Sequence, residues 1–265
     1  MYQASESRPG TYRAPERKNT CRLCPSGTVI RKATVIRQGN RYEVSLGMET
    51  IIDEIHPVEE VSVSEILSAD MGLKDFAVLG DSTGFLKIRN PRWIRVHEIR
   101  LRRFQKALSR KQYDRKTHTG SKNWYKAKAK VAKEQRRTAD QRKDFQHKLS
   151  RYIADSCKVF VCEDMVKNRH LSKAVASVGW YSFFQKVKYK LERGGGRFLQ
   201  VSRWFPSSQT CGCCGYRNTD VKKLSVREWV CPECGSYHDR DGNAQQTILK
   251  EGIRLLEAAG VCVTP

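Results

Sequence analysis

Apolar positions along the chain recur with two spacings, and the order of these spacings predicts a mixed α/β fold. Residues 28–48 alternate apolar and polar side chains around a turn at 38–40, which predicts a β-hairpin. Three short apolar runs between residues 63 and 88, separated by turns, predict a three-stranded meander. The first strand of this meander, residues 63–70, ends on the carboxylate of Asp70.

Helical spacing dominates the next part of the chain. Residues 95–155 are typical of two long helices broken at 117–121, with an apolar stripe that includes Leu149 and Ile153. A short apolar run at 159–162 ends on Glu163, and its flanks predict a buried parallel strand. The remaining predicted elements are a helix at 171–192, a strand at 198–205 and a last helix that ends near residue 259.

The cysteine spacing indicates a metal site. Two C-x-x-C pairs stand sixteen residues apart: Cys211 with Cys214, and Cys231 with Cys234. This is the spacing of a four-thiolate zinc ribbon, in which the metal replaces a core that so short a segment cannot form. Four unrelated buried thiols are the alternative interpretation. Cys213 is interpreted as a spare thiol, and the lone pair Cys21 and Cys24 cannot complete a four-ligand shell.

The net charge limits the classes of partner. Lys and Arg number 50 against 28 Asp and Glu, a net charge of +22, which predicts a polyanionic partner. Nucleic acid is favoured over an anionic membrane, because no apolar run approaches the ~20 residues of a spanning helix. Ten cysteines, and a polar start to the chain without a secretory signal, favour metal ligation in a reducing cytoplasm.

The positive charge is concentrated in the predicted helical pair. Residues 95–155 contain twenty Lys and Arg against six Asp and Glu, a net charge of +14. A charge run is often only a solvated helix face, but the one-sided sign here favours contact with a phosphate backbone. The candidate nucleic-acid-binding residues are Arg102, Arg103, Lys106, Arg110, Lys111, Lys126, Lys130, Lys133, Arg136, Arg137, Arg142 and Lys143.

Three acidic residues stand at the ends of elements that are far apart in sequence. If the first and fourth strands are parallel neighbours, Asp70 and Glu163 lie side by side, and a helix packed across them brings Asp241 to the same point. Clustered carboxylates repel one another unless cations neutralise them, and two Mg²⁺ ions can hold both oxygens of a phosphodiester displacement. RNase H-like or RuvC-like nucleases use this arrangement. Simple N-capping of the last helix is the alternative role for Asp239 and Asp241.

The same residues carry a resemblance to a known family. From about residue 28 to residue 256 the chain resembles the C-terminal two-thirds of TnpB (OrfB), the transposon-encoded RNA-guided DNA endonucleases related to type V CRISPR effectors. The matching segments are Asp-Met-Gly-Leu-Lys-Asp-Phe-Ala at 70–77, 142–145 with 147–149, Glu-Asp at 163–164, 166–169, Gly-Trp at 179–180, Pro-Ser-Ser-Gln-Thr-Cys at 206–211, and Asp-Arg-Asp-x-Asn-Ala at 239–244.

The resemblance implies roles for these residues. Asp70, Glu163 and Asp241 are the expected magnesium-binding catalytic acids, with Asp241 preferred to Asp239 as the ligand. The ribbon is the expected target-nucleic-acid-binding insert, and DNA and a guide RNA are the expected partners.

Three departures from the family pattern stand out. Family members carry a longer N-terminal part, of which only the hairpin at 28–48 resembles the end. The Gly-Ile before the first acid is Ser68-Ala69 here, and about four residues fewer separate Glu163-Asp164 from the motif at 165–168.

The expected fold is an RNase H-like (RuvC) mixed sheet with an inserted basic helical hairpin and a four-cysteine zinc ribbon. The predicted divisions are a disordered basic tail at 1–27, a remnant β-hairpin at 28–60, a nuclease core at 61–204 with its helical hairpin at 95–155, the ribbon at 205–237 and a final core helix at 238–265. The expected activity is Mg²⁺-dependent hydrolysis of DNA. The competing hypotheses are a non-cleaving nucleic-acid-binding protein, decayed or repressor-like, and a zinc-ribbon accessory factor without chemistry.

Overall fold

The computed structural model describes residues 28–38, 41–51, 54–164, 178–223 and 225–265. The predicted tail at 1–27, with Cys21 and Cys24, lies outside these ranges, as does the segment 165–177. The chain divides into two compact units, Met1–Glu54 and Ile55–Pro265.

The described part of the first unit contains the predicted β-hairpin. Strands β1 (Val29–Gln38) and β2 (Arg41–Glu49) pair antiparallel, with one register shift between Ile30 and Lys32. Every side chain of β2 is solvent-exposed, in agreement with the expectation that a two-stranded hairpin does not form a core by itself.

The described part of the second unit contains eleven further strands and four α-helices. The strands are β3 (Glu60–Ser62), β4 (Ile66–Met71), β5 (Asp75–Gly80), β6 (Phe85–Arg89), β7 (Tyr113–Asp114), β8 (Thr119–Gly120), β9 (Val159–Glu163), β10 (Arg197–Val201), β11 (Glu228–Val230), β12 (Tyr237–Asp239) and β13 (Cys262–Thr264). The helices are α1 (Trp93–Ser109), α2 (Lys122–Ser156), α3 (Trp180–Glu192) and α4 (Arg240–Ala258).

A five-stranded mixed sheet organises this unit, in the order β10-β9-β4-β5-β6. The meander β4-β5-β6 is antiparallel, whereas β9 pairs in parallel with β4 on one side and with β10 on the other. The predicted meander and the predicted parallel strand are therefore confirmed. This strand order and direction define an RNase H-like sheet.

Helices cover both faces of the sheet. On one face, Phe160 belongs to an apolar cluster with Ile153 of α2 and Phe183 of α3. On the other face, Ile66 and Val161 belong to a cluster with residues of α4. The helix α4 approaches β9 closely at Gly252, where an added Cβ would lie 2.6 Å from a methyl carbon of Val161.

Three predicted boundaries are wrong for local reasons. Residues Val63–Glu65 form a short 3-10 helix rather than strand, because the Ser62 side chain accepts from the Ser64 N–H and the Glu65 carboxylate accepts from the Ser62 N–H. The strand predicted at 198–205 ends at Val201 and continues as a turn. The break in the helical pair is longer than 117–121, because β7 and β8 form a small hairpin between α1 and α2.

The ribbon has little core of its own. Strands β11 and β12 pair antiparallel, and the buried apolar cluster of the ribbon consists of Cys211, Val221, Trp229 and Cys231. The short strand β13, which the sequence pattern did not predict, pairs in parallel with β3. Among the helices of the described residues, none has the length and apolarity required to cross a membrane.

Candidate active site and ribbon metal centre

The first two predicted acids end neighbouring parallel strands. On β4 and β9, Ala69 lies opposite Cys162, so that the next residues along, Asp70 and Glu163, lie side by side. Glu163 also lies opposite Val201 of β10. The carboxyl ends of the three parallel strands therefore form one edge of the sheet, as the sequence predicted for Asp70 and Glu163.

The Asp70 carboxylate is on the face of the sheet that α4 covers. Side chains alternate along a strand, so Ile66, Ser68 and Asp70 share a face. The Ser68 hydroxyl donates to the Gln245 carbonyl oxygen at 3.0 Å and accepts from the Gln245 amide at 2.8 Å. Ser68 thus links β4 to α4 two residues before Asp70 on the same face of the sheet.

Glu163 shares this face. Along β9 the alternation places Val161 and Glu163 on one side, and Val161 contacts Gly252 of α4. Both strand carboxylates therefore point to the side of the sheet on which α4 lies.

Asp241 completes the group from the helix. It occupies the first turn of α4, one turn before Gln245, and Gln245 rests on Ser68. The negative charge of Asp241 acts on the carboxyl of Asp70. The structure thus brings together three acids that are 93 and 78 residues apart in sequence.

The sequence left open which of two aspartates, Asp239 or Asp241, caps the last helix. In the structure Asp239 is the N-cap. Its Oδ1 accepts from the Gly242 N–H at 2.9 Å, and its Oδ2 pairs with Lys87 Nζ at 2.7 Å. Asp241 Oδ1 instead lies 3.7 Å from Nη1 of Arg227, a ribbon residue that the sequence did not indicate.

The pKa values of the two strand acids, Asp70 and Glu163, are raised. Burial, and after it the charges of Glu163 and Asp241, raise the pKa of Asp70 to about 7. Burial and then the charge of Asp164 raise the pKa of Glu163 to about 7. Carboxyl groups whose charged forms are disfavoured in this way gain from a bound cation.

The donor set fits a hard divalent cation. Carboxylate oxygens are the ligands that Mg²⁺ prefers. Among the described residues, the oxygens of the three acids do not all lie within 4.8 Å of one another.

The four ribbon cysteines converge on one point, with their sulfur atoms all within 4.8 Å of one another. The Cys211–Cys234 and Cys214–Cys231 sulfur pairs are 3.7 and 3.6 Å apart. A tetrahedral site with Zn–S bonds of about 2.3 Å has sulfur–sulfur edges of about 3.8 Å. The geometry therefore fits a tetrahedral four-thiolate metal site.

A histidine lies within hydrogen-bond distance of one of the four ribbon sulfurs. Nε2 of the buried His238 lies 3.0 Å from Cys211 Sγ, so that the Nε2–H tautomer donates to this sulfur. Cys211, His238 and Cys213 also form a second group of close donor atoms, but Cys213 is exposed and stands outside the four-sulfur group. A hydrogen bond such as that from His238 to Cys211 orients a metal ligand.

Direct hydrogen bonds fix the ribbon to α4. The Asn243 side chain accepts from the Gly212 N–H and donates to the Thr210 carbonyl oxygen, both at 2.7 Å. Lys250 Nζ donates to the Gly212 carbonyl oxygen. The first cysteine knuckle, at residues 211–214, therefore holds the helix that carries Asp241. Asn243 is a positioning residue that the sequence indicated only as part of a motif.

A groove of about 1000 Å³ lies between α1 and α2. Four of the twelve predicted cations, Arg103, Lys111, Lys126 and Lys130, line it, together with Arg100, which the sequence analysis missed. Arg100 precedes Arg103 by three residues and therefore shares its helix face. Four apolar side chains also line the groove: Ile99, Phe104, Ala107 and Ala127.

The other predicted cations are placed differently. Arg137 lines a separate pocket of about 490 Å³ with Trp93 and Gln141, and Arg102 pairs with Glu98 at 2.6 Å. Six further candidates do not line the groove: Lys106, Arg110, Lys133, Arg136, Arg142 and Lys143. The structure thus places only four of the twelve predicted cations in the groove.

Replacing Lys126 and Lys130 by alanine is expected to weaken binding to a 20-base-pair DNA duplex and to reduce its salt dependence. The slope of log K against log salt should fall by about 1.8, because each lost phosphate contact contributes about 0.9. Binding titrations of the wild type and the variant at several salt concentrations measure this slope. Lys148→Ala with Arg151→Ala, exposed α2 cations that pair with Asp144 and Asp155, is the matched control. An equal change in the control would contradict the assignment of the groove.

Comparison with protein families gives two matches. The OrfB_IS605 model, described as "Probable transposase", matches residues 48–173. The "Cas12f1-like, TNB domain" model matches residues 180–248.

Curated relatives match most of the chain. A protein of Streptomyces pristinaespiralis named "Putative RNA-guided DNA endonuclease" is 36% identical over 91% of this chain and 56% of its own length. A protein of Escherichia coli K12 with the same description is 26% identical over 86% of this chain and 58% of its own length. The chain spans a little over half the length of these relatives.

Solved structures show the same fold. The Cas12f1 chain of a complex with sgRNA and target DNA has a TM-score of 0.54 at 18% identity, over 78% of this chain and 42% of that chain. A Cas12f ternary complex gives 0.53 at 18% identity, over 82% and 44%. The sheet and the inserted cysteine ribbon thus define a RuvC-like fold with a zinc-ribbon insert. The chain belongs to the TnpB (OrfB) family.

Proposed function

We propose that the chain is a TnpB-type nuclease that hydrolyses phosphodiester bonds of DNA with Mg²⁺, guided by RNA. The observation that carries the proposal is the meeting of Asp70, Glu163 and Asp241 at one edge of the sheet beneath α4. The relatives named as RNA-guided DNA endonucleases support the substrate class.

The roles of the residues follow from their positions. Asp70 and Asp241 would hold the cations from the strand and the helix, and Glu163 would bind a cation and orient the attacking water. Bound Mg²⁺ would stabilise the negative charge that develops on the phosphate oxygens and would lower the pKa of the water. The cysteine site holds zinc and has a structural role, because the ribbon cluster is too small to fold without it.

The cations of the α1–α2 groove hold the nucleic acid by its phosphates. Contacts to phosphates carry no information on base sequence, so this contact fixes position rather than sequence. Guide pairing would then supply sequence selection.

Cutting of DNA complementary to the RNA that co-purifies with the protein tests the proposal. We expect product with Mg²⁺ and none with EDTA or without the RNA. The Asp241→Asn variant should cut about 100-fold or more slowly, because it loses a metal ligand. The Asp239→Asn variant should cut normally, because asparagine caps a helix as well as aspartate does.

Two results would contradict these assignments. Loss of cutting in Asp239→Asn with normal cutting in Asp241→Asn would exchange the roles of the two aspartates. Binding of DNA by the wild-type protein without any Mg²⁺-dependent product would favour the non-cleaving nucleic-acid-binding protein instead.

A further inference from the structure

Trp204 is conspicuous among the described residues because 84% of its surface is exposed. It lies in the turn that follows β10, where the sequence pattern predicted strand. A lone exposed apolar side chain is common on soluble proteins, so exposure by itself decides nothing. The place of this turn and the way it is held are the informative features.

The turn is fixed rather than loose. The Phe205 N–H donates to the Ser202 carbonyl oxygen at 2.9 Å, and the Trp204 N–H donates to the Ser202 hydroxyl at 3.3 Å. Phe205 packs against the apolar cluster beneath α4, and the Ser207 N–H donates to the Phe205 carbonyl oxygen at 2.8 Å. The inward anchoring of Phe205 leaves its neighbour Trp204 in solvent.

The turn lies at the edge of the sheet that carries the acids. Val201, three residues before Trp204, is opposite Glu163, and its carbonyl oxygen accepts from the Asp164 N–H at 2.9 Å. Arg203 Nη2 lies 3.4 Å from Asp164 Oδ2. The start of the turn is therefore held against the end of β9, next to Glu163.

An exposed indole at this position suits an unpaired nucleobase. Aromatic side chains stack on the bases of single strands, whose faces are free, and this stacking tolerates any base. The bases of an intact duplex already stack on one another and offer no free face. Arg203, which precedes the indole in sequence, is half-exposed, so the turn carries a cation of the kind that contacts phosphates.

We propose that Trp204 is a stacking site for an unpaired base next to the phosphodiester that the acids cleave. The site selects single-stranded over duplex DNA at the point of cutting. This inference rests on the proposed nuclease function, because it takes the acid cluster to be the place of reaction.

The test measures binding without cutting. Titration with hexathymidylate in EDTA should quench the tryptophan fluorescence of the wild-type protein, and Trp204→Phe should lose most of this quenching while keeping the affinity. Trp204→Leu should bind about 5- to 150-fold more weakly, because it loses one base stack. Tyr181→Leu removes an aromatic side chain that is 76% exposed on α3 and should bind like the wild type. A hexamer duplex should quench none of these proteins.

The cutting assay separates this inference from the proposed function. We expect Trp204→Leu to raise KM more than it lowers kcat, with rescue by Trp204→Phe. Wild-type quenching by the single strand without any cutting would overturn the nuclease function and leave the stacking site. Equal quenching in wild type and Trp204→Phe, or equal binding by the leucine and phenylalanine variants, would overturn the stacking site even where cutting is normal.

Discussion

Replacing Asp70 by asparagine should lower the Mg²⁺-dependent cutting of matched DNA by about 1,000-fold or more, because a metal-bound transition state loses several kcal/mol of stabilisation. Asp70 lies beside Glu163 on the neighbouring strand, and the charge of Asp241 on α4 acts on it. Single-turnover cutting rates measure this effect. DNA binding should change little, because the basic groove lies on α1 and α2.

The same variant has a second readout that separates lost chemistry from misfolding. Without divalent cations at pH 8, Asp70→Asn should melt at a higher temperature than the wild type, because it removes a carboxylate whose charged form is disfavoured by burial and by the charges of Glu163 and Asp241. Added Mg²⁺ should raise the melting temperature of the wild type more than that of the variant. Cutting at the wild-type rate, or a lower melting temperature without cations, would contradict the assigned site.

Replacing Cys231 by serine should reduce the zinc content from about one ion per chain by roughly tenfold or more, because a structural site needs all four ligands. The cluster around Trp229 cannot hold the ribbon without metal, so limited proteolysis should cut within residues 205–237. Elemental analysis and mass spectrometry of the fragments measure the two effects.

The Cys231→Ser substitution should also disturb the acid cluster and slow the cutting of DNA. Asn243 and Lys250 bind the first knuckle to α4, so a disordered ribbon releases the first turn of the helix and displaces Asp241. A displacement of about 1 Å can cost about 100-fold in rate.

Cys213→Ser is the matched control for the zinc site, because Cys213 lies in the same knuckle but outside the four-sulfur group. It should keep its zinc, its resistance to protease and its cutting rate. Loss of zinc in this control equal to that in Cys231→Ser would refute the four-ligand set.

The sequence could predict the strand acids because their positions follow from simple rules. Apolar runs that end on Asp70 and Glu163 give parallel strands whose carboxyl ends meet, and the register of β4 with β9 agrees. The choice between Asp239 and Asp241 could not be made in this way, since either acid can cap a helix. Only the contact of Asp239 with Gly242 and Lys87 separates them.

Other features escaped prediction because they depend on contacts between distant segments. The end of β10 at Val201 depends on a local Ser202 turn and on burial of Phe205, and the apolar run 198–205 does not reveal either. Arg227 reaches Asp241 from the ribbon across the domain surface. No spacing in the chain indicates such a pair.

The positions of three glycines set how near the final helix lies to the sheet. A Cβ at Gly252 would meet Val161, one at Gly80 would lie 2.6 Å from the Gln245 side chain, and one at Gly242 would strike the Phe85 ring. Glycine has no side chain, so Gly242 and Gly252 let the helix lie close to the sheet, and Gly80 on β5 leaves room for the Gln245 side chain. A methyl group at Gly252 would meet the buried side chain of Val161, so the last helix would have to move away from β9 to accept it.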